Sequence, residues 1–174
     1  MKADELRAVQ APLKDRYRES PQAALITLRA TGRLGEGVTC KIETGKALVA
    51  AGLHPATGGN GLSACSGDML LEALVACAGV TLNAVATALG IELRDALLEA
   101  EGDLDFRGTL GVSKEVAVGF QDIRLRISVD TDASDEEVSK LVRLTERYCV
   151  VYQTLVRAPK IATAIGRSPP PSNS

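Results

Sequence analysis

GDMLLEALVACAGVTLNAVATALG, residues 67–90, is the longest apolar run of the chain and carries Cys77 near its centre. Between Met69 and Leu89 the conventional polar side chains are Glu72, Thr81, Asn83 and Thr87. Apolar character on nearly every face predicts a helix buried on all sides rather than an amphipathic surface helix. Glu72 and Asn83 interrupt a stretch that would otherwise approach the ~20 apolar residues of a membrane span, so a core helix is expected, with no membrane partner. Small residues crowd its middle (Ala73, Ala76, Cys77, Ala78, Gly79, Ala84), which lets a second helix approach closely.

Outward from that run, the remaining strands and helices set the class. Residues 24–33 alternate as a first strand, Gly32, Gly35 and Gly37 make a turn around Arg33, and 38–43 and 46–53 return as two more. His54 and the glycines at 58, 59 and 61 form a loop into the helix; their spacing matches neither a phosphate-binding nor a dinucleotide loop. Leu98, Ala100, Gly102, Leu104 and Phe106 alternate with charges, as expected of a half-buried antiparallel strand, and 113–119 and 121–130 continue the pattern. Ser134-Asp-Glu-Glu137 is a capping box that opens a second long helix, ended by Pro159. Val138, Leu141, Val142, Tyr148, Cys149 and Tyr152 mark its inner face, and 160–165 is a candidate last strand. Strands followed by a helix, twice, predict an α+β fold with antiparallel sheets. Residues 1–22 are expected to be a helical extension, 23–167 the domain, and 168–174 (SPPPSNS) a disordered tail.

Composition excludes several functions. The 174 residues suffice for one domain with a core, and with five aromatic residues that core must be aliphatic. A formal net charge of −2 offers no basic field for nucleic acid. The charged N-terminus has no apolar signal segment, so a cytoplasmic location is expected. The four cysteines (Cys40, Cys65, Cys77, Cys149) lack zinc-site spacing, and neither a metal nor another cofactor is expected. In a reducing compartment, a disulfide between any of them would be catalytic or sensory.

The residues alone leave Cys77 open as a packed side chain or as a reagent. A mid-helix thiol lies too far from the helix N-terminus to be ionised by its dipole, so a thiolate there requires a cation from elsewhere. Cys149, 72 positions later, falls on the apolar side of the second helix. Two core cysteines, or a peroxidatic and resolving pair, both fit. A hydrolase pairing Cys77 with His54, the single histidine, has no oxyanion or triad signature to support it.

Three stretches are similar to the OsmC/Ohr family, the osmotically inducible and organic hydroperoxide resistance proteins. Asp68-Met-Leu-Leu-Glu-Ala-Leu-Val-Ala-Cys77 resembles the family's first-cysteine helix, and Arg147-Tyr-Cys-Val-Val151 its second-cysteine segment. Ala30-Thr-Gly-Arg33 resembles its arginine-bearing turn; in element order the likeness runs over about residues 23–166. The resemblance implies an intertwined homodimer whose sheets wrap two central helices. It also implies reduction of organic hydroperoxides by a cysteine pair that a small or lipoyl dithiol resets, as part of an oxidative stress response. Carried over by position, Cys77 is the peroxidatic nucleophile, Cys149 the resolving thiol and Arg33 the activating cation.

Two departures stand out. The glutamate that orients the arginine in peroxidase members is replaced by Gly67, leaving Asp68, one residue on, as the candidate substitute and Glu72 as the next acid. The prolines usual before that glutamate and after the second cysteine are missing. The departures favour an alternative, a redox-sensing or binding protein of the same family without useful turnover.

Overall fold

The computed structural model describes residues 2, 4, 5, 8, 11, 19, 31–34, 39–43, 48–111 and 113–166, with the side chains of 31–34, 39–43 and 48 outside the description. The fold is α+β, as expected. Its first sheet contains β1 (Thr31–Leu34), β2 (Thr39–Glu43), β3 (Leu48–Gly52) and the short β4 (Ala64–Cys65), in that order. The first three are antiparallel, and β4 joins β3 in parallel. Arg33 and Gly32 lie within β1, opposite Lys41 and Ile42, not in a turn. The expected strand over 24–30 and most of the N-terminal extension fall outside the described residues, as does the tail.

β4 runs directly into the central helix α1 (Ser66–Leu89). Its N-cap, Cys65, makes no side-chain capping hydrogen bond; its end is capped by glycine. Gly90 takes a left-handed φ of 73°, and its N–H and that of Ile91 satisfy the last carbonyls, Ile91 N reaching Ala86 O at 2.9 Å. That is a glycine C-cap, where a Cβ would be strained. The helix is not buried on all sides within this chain. Leu74, Ala78, Leu82 and Ala86, four residues apart, form one buried stripe, while Val80 on the far side is 74 % exposed. Among the described residues one sheet layer and the C-terminal helices pack on α1, while residues such as Val80 outside that stripe stay exposed. By length and composition alone α1 could cross a bilayer, but its stripe is the centre of a packed core.

That layer is a second sheet, β5 (Asp95–Leu104) paired antiparallel with β6 (Phe120–Asp130). Alternation decides its two faces. Ala96, Leu98, Ile127 and Val129 pack with Leu82 and Ala86 of α1. On the other face Glu99 and Glu101 stand opposite Arg126 and Arg124 and pair with them at 3.6 and 3.4 Å. Gly102 is required by close approach: a Cβ there would meet the Phe120 ring at 2.5 Å. β5 starts three residues before the expected strand, and Phe106 belongs to the short helix α2 (Phe106–Thr109) that follows it. Residues 113–119 form turns and not a strand, since the chain must cross back over the end of the sheet.

The expected second helix is two. α3 (Asp135–Tyr148) opens on the full capping box: Ser134 Oγ accepts from Glu137 N at 3.4 Å, and Ser134 N donates to Glu137 Oε2 at 2.8 Å. Leu141 and Thr145 are its buried residues, and the Thr145 hydroxyl donates back to Leu141 O at 2.9 Å. The helix stops at Cys149, whose ψ of 111° is extended, and α4 (Val150–Val156) begins at once. Tyr148 therefore turns outward and is exposed, contrary to its expected inner position. Residues 160–165 add no strand; they run as exposed irregular chain.

Candidate functional site

α1 packs against both α3 and α4, and this brings together two sulfur atoms that are far apart in sequence. Cys77 sits beside the buried stripe of α1, one residue before Ala78, and is half-buried. Cys149 occupies the break between α3 and α4 and is completely buried. The two thiols are close enough to shift each other's acidity, and both cysteines are free. Cys149 faces inward as expected, but the continuous helix is corrected: it is C-cap of one helix and N-cap of the next.

The break supplies what the thiol needs. A helix start leaves its first amides without intrahelical acceptors. In α4 the Tyr152 N–H donates to Cys149 Sγ at 3.5 Å, and the Val150 and Val151 amides act on Cys77 to lower its pKa. Burial pushes the Cys77 thiol up, but the Val151 amide, the Cys149 thiol, the Val150 amide and the Thr81 hydroxyl together outweigh it. Its pKa lies below the ordinary thiol value. Cys149 moves the other way. Burial and the neighbouring Cys77 sulfur raise it, against the opposing Tyr152 and Val151 amides. The arrangement is asymmetric, with Cys77 the more acidic thiol and Cys149 the less acidic one.

Thr81 lies one turn beyond Cys77, and its hydroxyl donates to the Cys77 carbonyl at 2.7 Å. Burial and the adjacent Glu146 carboxylate keep the Tyr152 phenol protonated beyond its ordinary range. Gln153 Nε2 donates to Glu146 O at 2.8 Å, which ties α4 to the last turn of α3 and holds the break in place. Sequence reasoning missed the two valine amides and Thr81. A hydroxyl four residues after a helical cysteine was visible; the break was not, because Cys-Val-Val contains neither glycine nor proline.

The other candidates lie elsewhere. Arg33 is in β1, with its side chain outside the described residues, and Cys40 in β2 likewise. Asp68 is exposed in the first turn of α1, nine residues before Cys77. That spacing is about 13 Å of helical rise and half a turn of rotation, so Asp68 points away from the thiols of its own chain. Glu72 is also exposed. Cys65 caps the start of α1 and lines a cavity with His54, Asp68 and Phe106. His54 stacks on Phe106 with ring centres 5.1 Å apart, and its Nδ1 accepts from Ala56 N at 3.1 Å. It thus stands at the far end of α1 from Cys77, which removes the Cys-His hydrolase reading. Among the described residues no group of three or more His, Cys, Asp or Glu is arranged to hold a metal ion.

Comparison with known proteins gives the same architecture. An OsmC-like protein from Mycoplasma pneumoniae superposes with a TM-score of 0.65 at 18% identity, covering 76% of this chain and 89% of that one. An organic hydroperoxide resistance protein OsmC from Legionella pneumophila gives a TM-score of 0.61 at 19% identity, covering 78% and 92%. OhrB of Bacillus subtilis gives 0.51 at 24% identity, covering 78% and 93%. No match to a curated protein was found. At these identities the likeness establishes the fold. The family model for OsmC-like protein matches residues 58–164, which hold both sulfurs and every element that positions them. The match takes in more than half of the chain, and the chain therefore belongs to the OsmC/Ohr family.

Proposed function

We propose that this protein is a thiol-dependent peroxidase that reduces organic hydroperoxides through Cys77 and Cys149. The observation that carries the reading is the pair of valine amides and the Cys149 thiol converging on Cys77. Peroxide cleavage requires a thiolate, and the lowered pKa of Cys77 favours one. The Cys77 thiolate attacks the terminal peroxide oxygen, the O–O bond breaks, and the alkoxide leaves as an alcohol after taking a proton. Cys77 is then a sulfenic acid. Cys149, close beside it, attacks that sulfur, expels water and closes a disulfide. A small or lipoyl dithiol reopens it by exchange. The names of the Legionella and Bacillus proteins, both organic hydroperoxide resistance proteins, support the choice of substrate class.

Two further parts of the reading concern assembly. The uncovered apolar side of α1, with Val80 at its centre, fits a homodimer in which a second copy completes the core. Arg33 is retained as the cation that activates Cys77 as a thiolate, and Asp68 as the carboxylate that orients it. Since Asp68 faces away from the thiols of its own chain, it would act through Arg33 across such an interface.

A redox sensor with the same thiol pair but little turnover is the second reading, favoured by Gly67 standing where peroxidase members carry glutamate. Purified protein with cumene hydroperoxide and excess dithiol separates the two. Many turnovers per Cys77 support the peroxidase; one turnover followed by a stable disulfide supports the sensor.

A further inference from the structure

The first turn of α4 is capped by sulfur: Cys149 Sγ accepts from Tyr152 N at 3.5 Å. The two amides before it, those of Val150 and Val151, act on the Cys77 sulfur. The amides that open α4, which a helix cannot satisfy internally, therefore depend on the two thiols. Little else holds this helix. It has seven residues, too few to persist alone, and none of them is completely buried, whereas α1 and α3 each have fully buried side chains. Gln153 N reaches Cys149 O at 2.9 Å and the Gln153 side chain reaches Glu146 O at 2.8 Å, but neither contact serves the first three amides. Beyond α4 the chain to residue 166 is exposed and irregular, and it gives no brace. α3 ends differently. Its last turn closes through backbone, Cys149 N reaching Thr145 O at 2.9 Å, with no part played by the sulfur.

We propose that α4 is a redox-responsive segment: closing the Cys77–Cys149 disulfide removes its sulfur cap, so that the chain from Val150 onward loosens while α1 and α3 stay in place. The inference rests on the disulfide step of the reading above, and it holds whether the protein turns over peroxide or only registers it. In that step an organic hydroperoxide has oxidised Cys77 to its sulfenic acid. The Cys149 sulfur attacks Cys77 Sγ, the S–O bond breaks, and the departing hydroxide leaves as water with the Cys149 proton. The two sulfurs must close to a bond of about 2.05 Å. Cys149 belongs to the α3–α4 junction itself, so its sulfur swings toward α1 and away from the Tyr152 amide. At 3.5 Å that contact is already long and has little slack. Cys77 meanwhile stops being ionisable. A neutral disulfide sulfur is a weaker acceptor than a thiolate, so the Val150 and Val151 amides lose the charge they favour. Every amide in the opening turn of α4 is weakened at once, and the backbone contact that ends α3 is not.

The test is amide deuterium exchange, read by mass spectrometry on the full-length protein. The reduced form is compared with the form made by one equivalent of cumene hydroperoxide, its Cys77–Cys149 disulfide confirmed by peptide mass. Peptides covering 150–157 should exchange about three- to tenfold faster in the disulfide form, the range that one lost helix cap supplies, while 66–89 and 135–148 keep their rates. Cys149→Ser keeps a capping side chain and cannot form the disulfide, so its 150–157 segment should hold the reduced rate after peroxide. Cys149→Ala removes the cap without any cross-link and should show the faster rate while still reduced. Exchange of 150–157 that is unchanged or slower in the disulfide form overturns the proposal and leaves the peroxidase reading intact. So does an acceleration shared equally by 135–148, which is a loss of packing and not of a cap, or a Cys149→Ala protein that exchanges as slowly as the parent. A disulfide that fails to form overturns both.

Discussion

Cys77 of the central helix meets Cys149 at the α3–α4 break, and their surroundings leave Cys77 the more acidic thiol of the two. The division of labour between two chemically identical side chains comes from backbone. Cys77 is acted on by two amides at the start of α4 together with the Cys149 thiol. Cys149 is fully buried, and burial together with the Cys77 sulfur makes it less acidic.

Removal of either sulfur should give a different defect. Cys77→Ser is expected to abolish peroxide consumption, by about 1000-fold or more. Cys149→Ser should retain the first turnover and then accumulate sulfinic acid on Cys77, since no neighbouring thiol intercepts the sulfenic acid. Intact-mass measurement after stepwise peroxide addition checks both. Equal loss of the first turnover in the two variants would sink the assignment.

The asymmetry predicts a pH signature. Cys77 should be alkylated by iodoacetamide with a midpoint below the ordinary thiol value of 9.0. In Cys149→Ala that midpoint should rise, and in Thr81→Val it should rise by less, because the hydroxyl is the smaller contributor. The stability consequence follows in sign. With its folded pKa depressed, Cys77 contributes stability above the unfolded value, and loses it as pH falls through the folded one. Cys149, raised, contributes below the ordinary value and loses that contribution as pH climbs through its folded pKa. Site-resolved alkylation from pH 5 to 10 provides the measurement, and a midpoint indifferent to Cys149→Ala would refute the part of Cys149 in lowering it.

Phe120 lies flat against Gly102 and also lines cavities on both sides of β6. Gly102→Ala places a methyl inside the ring's van der Waals envelope, so the ring must swing away. Overpacking of this kind costs about 1–3 kcal/mol, to be read as a lower midpoint in urea with an unchanged slope. A variant as stable as the parent would show that the ring has room to move.

Val80 tests the assembly. Burying an exposed valine is worth about 1.5–3 kcal/mol per copy, and a charge there would forbid contact. Val80→Asp should shift the protein from dimer toward monomer in analytical ultracentrifugation. A native protein that sediments as a monomer at micromolar concentration would dispose of the homodimer.

Much of the fold was legible because periodicity is local. The 67–90 run, the alternation around 98–104 and 121–130 and the Ser134–Glu137 box each carry their structure within a few residues, and all three appear where the pattern places them. The misreadings share one cause. A continuous helix to Pro159, an inward Tyr148 and a strand over 113–119 each extended a local pattern past the point where packing overrides it. The chain by itself determined which residues are cysteines, that one lies mid-helix, and that the core is aliphatic. Only the tertiary structure decided that the second helix breaks at Cys149. Hydrogen bonds to sulfur across 72 residues are set by how helices meet, and amide groups, which every residue but proline carries, leave no trace in a sequence.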